Sequence, residues 1–215
     1  MKRIIPAAII ALIGIVIAYF MISQPKPLKV YNPSDINPKL VDKSVQEIKI
    51  KHRVGSFQLT DQDNKTITED FFKDKIYITD FFFVTCPTIC PKMTTQMHRV
   101  YNEFKDNKDI YFLSHTVMPI QDSVPVLKEY AEKLNVNSNK WKFVTGDKQQ
   151  IYNLARKTYF AAVSEGDGGP DDFIHTENFV LVDKEKRLRG FYDGTSEKDV
   201  DRLIQDIYTL LEEYK

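Results

Sequence analysis

The chain has 215 residues, with 30 lysines and arginines set against 30 aspartates and glutamates, so its formal net charge is zero. That balance provides no strong positive field for a nucleic-acid partner. Its 2 cysteines are too few for a framework of structural disulfides.

Lys2 and Arg3 precede residues 4–22, a stretch without a charged side chain. Nineteen residues in a helix reach roughly 28 Å, about the thickness of a bilayer's hydrocarbon core. The stretch ends in Tyr19-Phe20-Met21-Ile22 with no small-residue cleavage pattern after it, and no cysteine nearby could carry a lipid. This reads as an uncleaved transmembrane signal anchor at residues 4–22 rather than a cleaved signal. The basic residues stay cytoplasmic, which places the rest of the chain in the periplasm or cell exterior, held by a single pass through the cytoplasmic membrane. Residues 23–44 contain Pro25, Pro27, Pro33 and Pro38, little apolar periodicity, and the character of a semi-rigid tether. Residues 45–215 suit one domain of ordinary size.

Within that domain, residues 57–60 and 66–68 flank the turn-rich Asp61-Gln62-Asp63-Asn64-Lys65 and predict a β-hairpin. Residues 76–84 are almost continuously apolar and β-prone, as in a central strand covered on both faces. Pro91 suits a first helical position, and a helix should continue over 92–105. A second apolar strand is expected at 109–117, then a helix at 124–134, a strand at 141–144 and a helix at about 148–159. Strands at 178–183 and 187–192, with a turn between them, precede a closing helix at 197–214. This order predicts an α/β thioredoxin-like sandwich with an additional N-terminal β-hairpin, preceded by one transmembrane helix.

Both cysteines fall in Cys86-Pro87-Thr88-Ile89-Cys90-Pro91, where the central strand gives way to a helix. A thiol there feels the positive end of the helix dipole, which lowers its pKa. Thiolate is both a nucleophile and a soft-metal ligand, so the pair can close as a disulfide or grip Cu(I) or zinc. Burial as two small hydrophobes would leave the flanking prolines unexplained.

A third ligand would come from the 4 histidines. His175 follows a polar, glycine-rich loop leading into a strand, a place that can carry a side chain over a neighbouring loop. On residues and spacing alone it is equally a ligand or an unrelated surface histidine. His115, at the end of the second central strand, is expected to be structural, although it could approach the site. His98 lies too far along the helix from Cys90 to share an ion with it, and His52 is expected to be solvated. Met93 and Met97, one helical turn apart, suit core packing better than copper contact.

The Thr85–Pro91 stretch together with His175-Thr176 resembles the SCO/SenC family of membrane-tethered copper-binding proteins. The likeness extends to the anchor, the tether, Val126-Leu127-Lys128-Glu129-Tyr130-Ala131, Thr145-Gly146-Asp147 and Val182-Asp183-Lys184. The resemblance implies a thioredoxin-like fold and one copper ion held by Cys86, Cys90 and His175. It also implies that the copper is destined for the copper-binding subunit of a respiratory cytochrome c oxidase, with the upstream donor or reductant left open. Reduction of the target's cysteines is a second activity implied for such proteins.

Two features depart from the familiar pattern. Where many members of this family carry an acid after the second central strand, this chain has Met118, although Asp122 remains; loop packing suits Met118 better than an outer copper contact. Asp80, six residues before Cys86, resembles the buried acid that assists proton transfer in thioredoxins. It is a candidate acid–base group for thiol–disulfide chemistry or a hydrogen-bonded structural acid. A peroxidase of the peroxiredoxin kind is disfavoured, because its activating arginine has no clear counterpart. The alternative to a copper chaperone is therefore a thiol–disulfide oxidoreductase whose redox pair is Cys86 and Cys90.

Overall fold

Residues 76–82 are apolar on both sides of the strand except at Thr79 and Asp80, so a sheet containing them has to be covered twice. In the computed structural model, which describes residues 12–15, 26–38, 41, 44–162, 169 and 172–215, that cover is complete. The strand Ile76–Phe82 is buried at every position. Among the described residues it is β3 of seven strands in chain order: β1 (Gln58–Asp61), β2 (Thr66–Thr68), β3, β4 (Ile110–Thr116), β5 (Trp141–Thr145), β6 (Asn178–Val182) and β7 (Leu188–Asp193). They form one mixed sheet in the order β2-β1-β5-β4-β3-β6-β7.

β3 pairs in parallel with β4, which places Asp80 opposite Ser114 and Phe82 opposite Thr116, and antiparallel with β6. The helices are α1 (Ile89–Phe104), α2 (Val124–Lys133), α3 (Lys148–Asn153) and α4 (Glu197–Glu213). β6 and β7 form the expected hairpin before α4, and the β1–β2 hairpin extends the sheet by pairing β1 antiparallel with β5. From β1 to α4, the order of strands and helices agrees with the sequence reading.

The alternation of β3 side chains separates two cores. Ile76, Ile78 and Phe82 pack with α1 and α4 through Met93, Met97, Val100, Leu203 and Ile207. Tyr77 and Phe81 face the other layer, with Phe57, Ile151, Tyr152 and Tyr159. Met93 and Met97 are fully buried, so both serve packing.

Three details differ from expectation. α1 begins at Ile89, so Pro91 is its third residue rather than its first. Proline is tolerated there because the first turn's N–H groups have no partner within the helix. The helical stretch after β5 changes character at Leu154–Thr158, where it becomes a π-helical turn. Finally, part of the stretch expected as a tether is docked on the domain. The Leu28 N–H donates to Glu213 at 2.6 Å, Arg189 donates to the Leu28 and Lys29 carbonyls, and Tyr31 bridges to Leu188. Arg189 is itself buried beside Asp183 and Glu213, and these carbonyls take up its remaining donors.

The anchor expected at residues 4–22 lies, apart from residues 12–15, outside the described residues. Among the described residues no helix is long and apolar enough to cross a membrane.

Candidate functional site

The site begins where β3 ends. The chain leaves the sheet at Phe82, the Cys86 N–H donates to the Phe83 carbonyl at 3.2 Å, and Asp122 braces the turn by accepting the Val84 N–H at 3.1 Å. The Thr116 hydroxyl also donates to Asp122. Burial raises the Asp122 pKa, and these two bonds partly offset that rise. Asp122 thus fixes the start of the cysteine loop to the end of β4.

Thr88 is the N-cap residue of α1, but its side chain makes no capping bond. The Cys86 sulfur takes that place, accepting the Cys90 N–H at 3.4 Å. A sulfur in this position receives both a backbone donor and the positive end of the helix. Both cysteines are buried and carry free thiols.

Their acidities diverge. Burial raises the Cys86 pKa, but hydrogen bonds from the Cys90 thiol, the Thr88 and Cys90 N–H groups and the Thr88 hydroxyl outweigh it, so the net shift is downward. Burial pushes the Cys90 thiol up to about 12, reinforced by its bond to Cys86. Cys86 is therefore the more readily ionised of the two thiols, and Cys90 holds its proton more tightly.

Asp80 lies on the same face of β3 as the side chains packed against α1. Burial raises its pKa to about 7, and a bond from the Ser114 hydroxyl only partly restrains this rise. Ser114 in turn accepts the Trp141 indole N–H at 2.9 Å. One Asp80 oxygen, Oδ1, is buried with no hydrogen-bond partner. The Asp80 charge contributes to the raised Cys90 pKa, which links the two groups electrostatically.

His115 follows Ser114 and so faces the opposite side of the sheet. It stacks on Phe81 at 4.7 Å, and its Nδ1 lies 3.1 Å from the Thr79 hydroxyl. Burial lowers its pKa to about 3. His115 is a neutral core residue remote from the cysteines, in agreement with its structural reading. His98 is also structural, with ring nitrogens 3.0 Å from the Leu134 carbonyl and 3.0 Å from the Asn102 amide. His52 corrects the sequence reading. It is buried rather than solvated, packs against Phe160 and bonds the Thr158 carbonyl at 2.8 Å. Met118 is partly buried against the core, and with Pro119, Ile120 and Phe173 it lines a groove of about 430 Å³.

His175 is exposed between two buried neighbours, Ile174 and Thr176. Two residues earlier, the Phe173 ring meets the Phe83 ring edge-on at 5.4 Å, so the loop carrying His175 touches the loop carrying the cysteines. Among the described residues, no three His, Cys, Asp and Glu side chains are gathered closely enough to hold a metal ion. The two sulfurs are together, and the histidine is presented from a neighbouring loop.

The fold that carries this dithiol has counterparts among known proteins. The family model described as SCO1/SenC matches residues 45–212. The chain belongs to the SCO1/SenC family. Among its relatives, the SCO1 protein homolog of Bacillus subtilis is 31% identical over 166 residues, covering 75% of this chain and 86% of that protein. The solved structure of BsSco, described as a member of the Sco family of cytochrome c oxidase assembly proteins with a disulfide switch, superposes with a TM-score of 0.63 at 29% identity. It covers 75% of this chain and 94% of its own. Arabidopsis thaliana ScoI, solved with copper bound, superposes with a TM-score of 0.60 at 25% identity, over 75% of this chain and 99% of its own. In this SCO1/SenC chain, the two sulfurs and an imidazole nearby are donors of the kind copper accepts.

The sequence reading did not identify the Arg156–Asp172 ion pair, in which both side chains are buried, with N–O distances of 2.5 and 2.6 Å. Nor did it identify the bond from Asp122 to the cysteine loop. Asp122 was visible as an acid at a familiar place, but nothing in local spacing signals the pairing of Arg156 with Asp172.

Two outcomes follow. In the reduced protein at pH 8, a small alkylating reagent should modify Cys86 faster than Cys90 by at least about tenfold. Time-resolved peptide mapping would show this, and equal rates would refute it. The second concerns stability. Unfolded Asp80 ionises near its ordinary value of 3.8 and folded Asp80 near 7, so between these pH values the unfolded state holds fewer protons. Stability falls as pH rises through that window. Asp80→Asn removes this loss, so its stability relative to wild type should improve between pH 4 and 8 by on the order of 2–4 kcal/mol. Denaturant midpoints at pH 4.5, 6 and 8 measure it, and a difference independent of pH would contradict it.

Proposed function

We propose that this chain is a membrane-anchored copper chaperone that takes one copper ion through Cys86, Cys90 and His175 and delivers it to the copper site of a respiratory cytochrome c oxidase. The anchor at residues 4–22 would hold the domain outside the cytoplasm, near the oxidase's copper-binding subunit. The observation that carries this reading is the Cys86–Cys90 pair, with one sulfur already acting as acceptor at the start of α1. Copper bound to a relative in the same family, and the assembly role named for another, support it.

Copper is cargo in this reading. Cys86 offers a thiolate without a large proton cost, since its pKa is already lowered. Cys90 gives up its proton on metal binding, as a coordinating thiol must. His175, exposed on a loop in contact with the cysteine loop, can join without disturbing the core.

Titrating the reduced full chain in detergent with Cu(I), against a competing chelator, should show one tightly bound equivalent. His175→Ala should weaken binding at least tenfold. Failure to bind one equivalent, or affinity indifferent to His175→Ala, would overturn the reading.

A second reading is favoured by the unpartnered Asp80 oxygen and its raised pKa: the chain reduces disulfides in the oxidase copper domain or in other extracytoplasmic proteins. The Cys86 thiolate would attack a target disulfide, forming a mixed disulfide and releasing one target thiolate. Cys90, passing its proton to ionised Asp80, would then attack the Cys86 sulfur and release the second. Two electrons pass to the target, and the chain is left with a Cys86–Cys90 disulfide. With an oxidised copper-domain peptide as substrate, Asp80→Asn should slow release of the second thiolate by about tenfold or more. No exchange by the wild-type chain would remove this reading.

A further inference from the structure

We propose that Arg156 is a positioning residue for His175, acting through Asp172. The inference rests on the reading of His175 as a copper ligand and adds to it the part of the fold that sets where that imidazole is presented.

The geometry concentrates on one short segment. α3 passes into the π-helical turn Leu154–Thr158, which places Leu154, Ala155 and Arg156 in the buried layer. A π turn widens the helix by one residue and re-aims the side chains it carries, and such turns recur at functional sites. Here it points the Arg156 guanidinium at Asp172, three residues before His175. Nη1 and Nη2 each donate to a separate carboxylate oxygen, at 2.5 and 2.6 Å. The two-pronged contact fixes direction as well as distance.

The far side of His175 is tied to the same segment. The Thr176 hydroxyl donates to the Ala161 carbonyl, and the Asn178 side chain donates to that carbonyl at 3.0 Å. The Ala161 N–H in turn donates to the Ala155 carbonyl at 2.9 Å. Residues 155–161 therefore hold the His175 loop on both flanks. The Tyr152 hydroxyl, one turn earlier, adds contacts to the Val117 and Asp172 carbonyls at 3.0 and 3.3 Å. Between the two ties, Phe173 and His175 point outward while Ile174 points in, as an extended chain requires.

A buried ion pair is weak evidence for stability, because desolvation offsets most of its attraction. Its value lies in specifying one arrangement. Here that arrangement sets Phe173 against Phe83 and His175 outward beside the cysteine loop.

The test uses the full chain in detergent, with Arg156→Gln, Arg156→Lys and Asp172→Asn, each with and without His175→Ala. In the metal-free protein, the flanking Asp172 and Asn178 amides, which donate to the Gly169 carbonyl and the Thr176 hydroxyl at 3.2 Å, should exchange at least tenfold faster in Arg156→Gln while those of β3 stay protected. Unchanged exchange at both would overturn the proposal. For Cu(I), Arg156→Gln should raise Kd at least fivefold when His175 is present and leave it unchanged in the His175→Ala background. Arg156→Lys, which keeps the charge but loses the fork, should recover only part of the affinity. Equal losses in both backgrounds would show a general structural effect and overturn the proposal. Should Arg156→Gln lose β3 protection as well, the milder Asp172→Asn supplies both readouts. If wild type binds no copper, or His175→Ala leaves its affinity unchanged, the copper reading fails separately, and metal-free exchange alone decides whether the pair holds the loop.

Discussion

Burial of β3 on both faces is the constraint from which the rest of the structure follows. A strand covered twice cannot expose a reactive side chain along its length, so chemistry must sit where the strand ends. Parallel pairing with β4 leaves both strands ending at the same side of the sheet. The cysteine loop is therefore built on two strand ends, with Asp122 bonding one to the other. The same burial makes Asp80 costly. Ser114 directs a hydroxyl to it, Trp141 occupies the other side of Ser114, and one carboxylate oxygen remains without a partner. A carboxylate kept under those conditions, on the face that packs against α1, has the raised pKa that the proposed reductase reading calls on.

The two thiols differ because the helix start treats them differently. Cys86 precedes the helix and receives its backbone donor, whereas Cys90 lies within the first turn and is desolvated by the core. One sulfur thus gives up its proton more readily, and the other holds its proton until something removes it. Either a metal or a disulfide bond can take that role, so one arrangement serves both proposed activities. Cys90 is the step they share, since its deprotonation commits the pair to either product.

Much of this could be read from the sequence. The almost continuous apolar run at 76–84 identified the central strand, since a strand covered on both faces needs apolar side chains on both. The hairpins declared themselves through turn residues flanked by alternating segments. What could not be read depended on tertiary contacts. Pro91 suggested a helix start, but the loop geometry set by Cys86 moved that start to Ile89. His52 sits in a polar stretch, and its burial depends on Thr158 and Phe160, over a hundred residues away. The docking of residues 28–31 required Arg189 to be buried with donors to spare. Arg156 and Asp172 each look like ordinary surface charges until the π turn and the return of the chain toward β6 bring them together. Cys86, Cys90 and Asp80 could be placed at the end of one strand because their spacing along it fixes where they fall. His175 was singled out chiefly through family resemblance, because it lies on another loop.

The placement of His175 separates the two proposed chemistries. A disulfide needs only the two sulfurs, and they already lie on one loop and helix turn. An imidazole adds nothing to that bond. Yet the fold holds the residues on either side of His175 with a buried ion pair, a hydroxyl bond and a buried isoleucine, while leaving the ring itself exposed. An exposed polar side chain between anchored neighbours is a poor use of ordering entropy unless the side chain meets something. The loop it stands on meets, through the Phe83–Phe173 contact, the loop that carries the dithiol. A soft ion seated on the sulfurs would make use of an imidazole there, and a disulfide would leave it idle. Under the proposed reading, copper binding therefore makes use of every part of this loop, whereas disulfide formation would use the sulfurs alone.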